Sequence, residues 1–129
     1  MPLPADDVAF LTESRLSHSV HSEGGMTCVL ISGFAIPPGY DKTVTDLLLR
    51  LSPGYPDIPP DMWWFSPGVR LANGSFAPAT EVTENHLGRT WQRWSRHFKP
   101  GQWQSGIDCL ETFLALIKKE LRRSAGIAA

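Results

Sequence analysis

Cysteine is scarce in this chain: 129 residues contain only Cys28 and Cys109. They make neither a Cys-x-x-Cys pair nor a disulfide framework, and the opening "MPLPADD" lacks the basic and apolar blocks of a secretory signal. Both absences point to a reducing cytoplasm with free thiols. Long apolar runs are missing as well, which excludes a transmembrane helix. Charge of one sign is not in excess, because 12 Lys and Arg stand against 13 Asp and Glu, a formal net charge of -1. That balance argues against a general nucleic-acid or membrane-surface binder and favours a protein or small-molecule partner.

What is present is globular. Hydrophobic residues make up 42% and charged residues 19%, well away from the composition that keeps a chain disordered. The length predicts one domain, 1–129, burying about two-thirds of its unfolded surface, with 124–129 as a frayed tail. The segment "DDVAFLTESRL" predicts a short helix with Asp6 or Asp7 as N-cap. "LSHSVHSE", the Gly24-Gly25 turn and "MTCVLISGFAI" predict a hairpin whose second strand is buried from both sides. In "KTVTDLLLRL", Leu47, Leu49 and Leu51 alternate with Asp46 and Arg50 as a third strand. Pro53, Pro56, Pro59 and Pro60 make "SPGYPDIPPD" a rigid extended loop, and "MWWFS" is a fourth short strand. Trp63, Trp64 and Phe65 in it are expected to bury one face and lean the other on the proline loop.

From 67 to 104 only turn signals appear, with no sustained periodicity. A stretch of that length is the likeliest functional region in a compact domain. After it, Ile107, Leu110, Leu114, Ile117 and Leu121 recur at helical steps, with Ser105 and Asp108 as a capping-box start and Lys118, Lys119, Arg122 and Arg123 at the negative end of the dipole. The expected architecture is therefore α+β: a four-stranded antiparallel meander flanked by helices, with a long active-site segment before a C-terminal amphipathic helix.

The proline loop "YPDIPP" after the third strand, and a Trp just before a late helix, resemble the ubiquitin-conjugating enzyme fold. Within it the chain looks like the bacterial type encoded beside ubiquitin-like and activating-enzyme-like genes. The resemblance spans roughly 26–123 and is most specific at Tyr55-Pro56, Pro59-Pro60 and "WQSGIDCLETFLALIKKEL". It implies a residue that accepts the C-terminus of a ubiquitin-like protein from an activating enzyme and passes it to a target amine, with no cofactor. Family members use a cysteine. Read forward from the proline loop, "NGSFA" resembles the family's Asn-Gly-x-Ile-Cys and puts Ala77 at the nucleophile position, which predicts an inactive variant. Read backward from the late helix, the family's cysteine lies about eight residues before the Trp, and Ser95 stands there. The longer match at Trp103 favours Ser95. Neither Cys28, in the central strand, nor Cys109, in the late helix, fits either anchor.

A serine hydroxyl needs a base at neutral pH, and His97 is the nearest imidazole. The two side chains share a face only if the segment is extended. His86 is the alternative base. Arg96, Arg93 or a backbone amide would stabilise the oxyanion, and Asn85, in "ENH", matches loosely the family's assisting Asn. The product would be an oxyester. The simpler readings stand beside these. Trp91, Trp94 and Trp103 most often anchor a loop, Arg89, Arg93, Arg96 and Lys99 form either a solvated face or a docking surface, and the four histidines lack the spacing of a recognised zinc site. The alternatives to a conjugating enzyme are an inactive variant that binds a ubiquitin-like protein or an activating enzyme, and a small serine hydrolase. The latter lacks a Gly-x-Ser-x-Gly elbow.

Overall fold

A computed structural model of the chain describes residues 3–96 and 102–126. Helix α1 (Ala5–Glu13) leads into strands β1 (Ser17–Glu23), β2 (Met26–Ala35), β3 (Val44–Leu51) and β4 (Met62–Ser66). Strands β5 (Thr83–His86) and β6 (Arg89–Ser95) follow, then helix α2 (Leu110–Ser124). The class is α+β as expected, but among the described residues the sheet has six strands rather than four, all antiparallel, in the order β1-β2-β3-β4-β6-β5.

The first four strands are the meander that the alternation predicts. Gly24 and Gly25 both take positive φ, 59° and 79°, the geometry that a two-residue hairpin turn requires, so Glu23 pairs with Met26. The two further strands lie in the segment that shows no periodicity. Their turn is Leu87-Gly88, again with both φ positive (52° and 73°), but without the Asn-Gly or Asp-Gly that would announce it. Alternation is also hidden in β6, because both of its faces are covered.

Towards the helices, Val29, Ile31, Leu47, Leu49, Trp63, Phe65 and Trp94 pack with Leu11 of α1 and with Leu110, Phe113, Leu114, Ile117 and Leu121 of α2. Trp94 stacks on Trp63 with ring centroids 6.0 Å apart and meets Phe65 edge-on at 5.7 Å. The centre of the opposite face is not solvated either, although its β1 edge, with Ser19 and His21, is exposed. Cys28, Leu48, Trp64 and Trp91 form a second cluster there, joined by Leu30, Met62 and Leu87. Trp64 thus turns to this outer cluster rather than to the proline loop.

Adjacent strands of a sheet rotate by some 20–25°, so five steps from one edge to the other amount to about 100–125°, enough to bring diagonal corners towards each other. The corners touch: Leu87 N donates to Glu23 Oε2 at 2.8 Å, although β1 and β5 are opposite edges.

The helix ends differ from their sequence signals. The cap position of α1 is Pro4, not Asp6 or Asp7. Helix α2 begins at Leu110 with Cys109 as its cap residue, and the Cys109 N–H donates to Thr112 Oγ1 at 2.9 Å. Ile107 lies outside the helix and is 70% exposed. Ser105 instead donates to Asp57, and Gln104 N to Asp108 Oδ2 at 2.6 Å, so both expected capping residues fasten the approach to the helix.

Candidate functional site

Ser95 is the last residue of β6. Its backbone is held on two sides, in register with Met62 of β4 and by a 3.1 Å bond from its N–H to Ala79 O. Strand alternation puts Trp94 in the core and turns Ser95, with Arg93 and Trp91, to the outer face. Ser95 is half-buried there. Its Oγ accepts a hydrogen bond from Arg93 Nε at 3.0 Å.

Behind Arg93 lies a row of polar groups on the rim of the outer cluster. Arg93 Nη1 donates to Glu84 Oε2 at 2.8 Å. Glu84 Oε1 accepts from Trp64 Nε1 at 2.9 Å and lies 2.9 Å from His86 Nε2. His86 Nδ1 is 3.3 Å from Glu23 Oε1, and the ring meets Trp64 edge-on at 5.5 Å. Burial alone raises the pKa of Glu84. The hydrogen bonds from His86, Trp64 and Arg93 outweigh it and hold the carboxyl below the ordinary carboxylate range, so Glu84 is ionised at neutral pH.

The other residues expected at the site are distributed differently. His97 lies outside the described residues. Arg96 is adjacent, but its donors go to Glu120 Oε1 at 2.8 Å, Pro78 O and Ser95 O at 2.9 Å each, and Ser124 Oγ at 3.4 Å, with its guanidinium 5.1 Å from the Trp94 ring. Arg96 therefore ties the end of β6 to α2 and is not aimed at Ser95 Oγ. Asn85 pairs in register with Thr90, whose hydroxyl donates to it at 3.0 Å. Thr90 is five residues back along β6, about 17 Å at the strand rise, and Asn85 faces the other side of the sheet. The structure does not bring Asn85 to Ser95. His86, on the correct face, is further back along the hairpin and reaches Ser95 only through Glu84 and Arg93.

The competing anchor is enclosed. Ala77 is 1% exposed in the main core, and its carbonyl accepts from Thr80 Oγ1 at 2.8 Å. Cys28 is fully buried in the outer cluster. Cys109 is half-buried as the cap residue of α2 and not inside the helix.

The Trp that serves as ruler has a fixed place: Trp103 Nε1 donates to Pro56 O at 2.8 Å and its ring packs 6.2 Å from Tyr55. Trp91 and Trp94 are fully buried anchors. Arg89, like Arg93 and Arg96, is paired with a carboxylate, Asp46 Oδ2 at 3.1 Å. Glu84 and Trp64 carry no local signal in the sequence that joins them to Ser95, because the alternation of Glu84 with His86 and of Trp91 with Arg93 becomes visible only once Leu87-Gly88 is known to be a turn.

The family model described as prokaryotic E2 family E matches residues 3–124. No curated protein and no solved structure matches the chain significantly. With all but the two ends of the sequence inside that match, the chain belongs to prokaryotic E2 family E.

Proposed function

We propose that this protein carries a ubiquitin-like protein as an oxyester on Ser95 and transfers it to a target amine. Membership of an E2 family associates the chain with ubiquitin-like conjugation. The single observation that carries the finer reading is the contrast between the two anchors. Ser95 is half-buried with its hydroxyl held by a guanidinium, whereas position 77 is sealed in the core. In the reaction, Ser95 Oγ attacks the thioester carbonyl presented by the activating enzyme, His97 takes the hydroxyl proton, and the activating enzyme's thiolate leaves.

The test is an incubation with cognate activating enzyme, ubiquitin-like protein and ATP. A covalent adduct is expected on a denaturing gel that resists thiol reductant and yields to strong base. Ser95→Ala abolishes it, and Ser95→Cys converts it to a reductant-sensitive thioester. An adduct that survives Ser95→Ala defeats the assignment, and one lost only in Cys109→Ala transfers it to the cysteine. A second reading, a binding module without chemistry, draws support from one observation: neither cysteine occupies either anchor position. It predicts a stable complex with the activating enzyme or the ubiquitin-like protein and no adduct.

A further inference from the structure

An oxyester is a poorer acyl donor than a thioester, because an alkoxide leaves less readily than a thiolate. A serine carrier therefore needs help at the leaving oxygen itself. We propose that Arg93 is the catalytic cation that stabilises Ser95 Oγ as it leaves, and that Glu84 is the residue that positions it; the inference rests on the Ser95 reading above.

The geometry favours this over a role at the acyl carbonyl. Arg93 Nε points at Oγ, 3.0 Å away. In the acyl form Oγ is an ester oxygen, a weak acceptor. In the transition state for transfer it becomes alkoxide-like, and the same N–H then makes a charge-assisted bond. An interaction stronger in the transition state than in the ground state is what lowers the barrier.

The guanidinium is held for this task from behind. Its Nη1 is bonded to Glu84 at 2.8 Å, and Glu84 is fixed in turn by Trp64 Nε1 and faces His86. Glu84 sits opposite Trp91 on the neighbouring strand, diagonal to Arg93 and on the same face. The fork of an arginine reaches a carboxylate and a hydroxyl at once from two nitrogens at fixed angles, which the point charge of a lysine does less well.

The transfer balances without a further reactant. The amine nitrogen bonds to the acyl carbon, the bond from that carbon to Oγ breaks, and its electron pair stays on Oγ beside Arg93. The proton released by the amine nitrogen ends on Oγ and restores the Ser95 hydroxyl, while Arg93 remains protonated throughout.

The experiment uses p-nitrophenyl acetate as acyl donor and hydroxylamine as amine, with the acetyl group located by peptide mass mapping. Wild type is expected to carry acetyl on Ser95 and to discharge it to hydroxylamine. Arg93→Gln slows that discharge about 100-fold, the usual effect of removing one donor from a developing oxyanion. In the Ser95→Cys background the same substitution changes thioester discharge by less than about 3-fold, because sulfur is a weak acceptor and thiolate already leaves well. Glu84→Gln slows oxyester discharge by about 10-fold and adds nothing once Arg93 is already Gln, as expected when one residue acts through another.

Far-UV circular dichroism and a thermal melt establish that each variant is folded. Equal slowing of the serine and cysteine forms, or a folded Arg93→Gln that discharges acetyl-serine at the wild-type rate, overturns the inference while leaving Ser95 as the carrier. Absence of acetyl from Ser95 in wild type overturns both.

Discussion

Asp7 shows how far a residue's task can lie from its local signal. In sequence it is an acidic residue at the start of a helix, the usual place for a cap. In the fold it is 1% exposed, and its carboxylate accepts from Tyr55 OH at 2.7 Å and from Leu110 N at 3.0 Å. It therefore caps α2, more than a hundred residues away in sequence, and not its own helix. Burial first, and then this carboxylate, push the Tyr55 hydroxyl well above its ordinary range, so the tyrosine stays a donor at all working pH values. Asp7→Ala removes a cap and leaves a buried hydroxyl unpaired, and urea denaturation is expected to read a loss of about 3 kcal/mol. A loss below about 1 kcal/mol would show that water replaces the carboxylate. At this same scale Arg93, whose Nε donates to Ser95 Oγ, is in the sequence only one of several cations near that serine.

Among the elements, the β5–β6 hairpin separates what local pattern reveals from what it hides. Helix α2 was readable because one face of it is apolar and the other is not. Strand β6 was not, because Trp91 and Trp94 bury opposite faces and erase the period of two. The hairpin is pinned at its turn by Glu23, which accepts the Leu87 N–H, and beside it by Glu84. The Leu87 hydrogen bond is the largest influence lowering the Glu23 pKa from its ordinary 4.5, and Glu84 is also held low. A carboxylate whose folded pKa lies below its unfolded value contributes stability above the unfolded value and loses it as pH falls through the folded one. Amide exchange at Leu87, corrected for its intrinsic rate, is therefore expected to speed up as pH drops below about 4.5, and Glu23→Gln to flatten that dependence. Exchange that stays constant down to pH 3 would show that the carboxylate does not hold the turn.

For the molecule as a whole, the deciding feature is a sheet whose central strands are buried on both sides. A sheet with helices on one face would leave its other face wet, and Trp64→Ala would then cost little. Here Trp64 is 7% exposed among Cys28, Leu48 and Trp91. Trp64→Ala is expected to destabilise by about 3–5 kcal/mol, comparable to Phe65→Ala on the helix side. A near-neutral Trp64→Ala in thermal or urea unfolding would contradict the second cluster. Trp64 also donates to Glu84, so this variant is expected to loosen the support behind Arg93 and, under the proposed chemistry, to slow discharge of the Ser95 oxyester.

Local pattern suffices for the first four strands and for most of the late helix, through alternation and helical spacing. It also marks the proline segment between β3 and β4 as non-helical, although that segment folds as turns closed by Tyr55 N to Ser52 O and Ile58 N to Gly54 O rather than as an extended loop. Tertiary contacts alone settle that two more strands join the sheet and that Asp7 caps a distant helix, and also that Arg96 faces Glu120, that Asn85 points away from Ser95 and that Arg93 meets Oγ. Those outcomes depend on pairing and twist, which bring together residues that no local pattern relates.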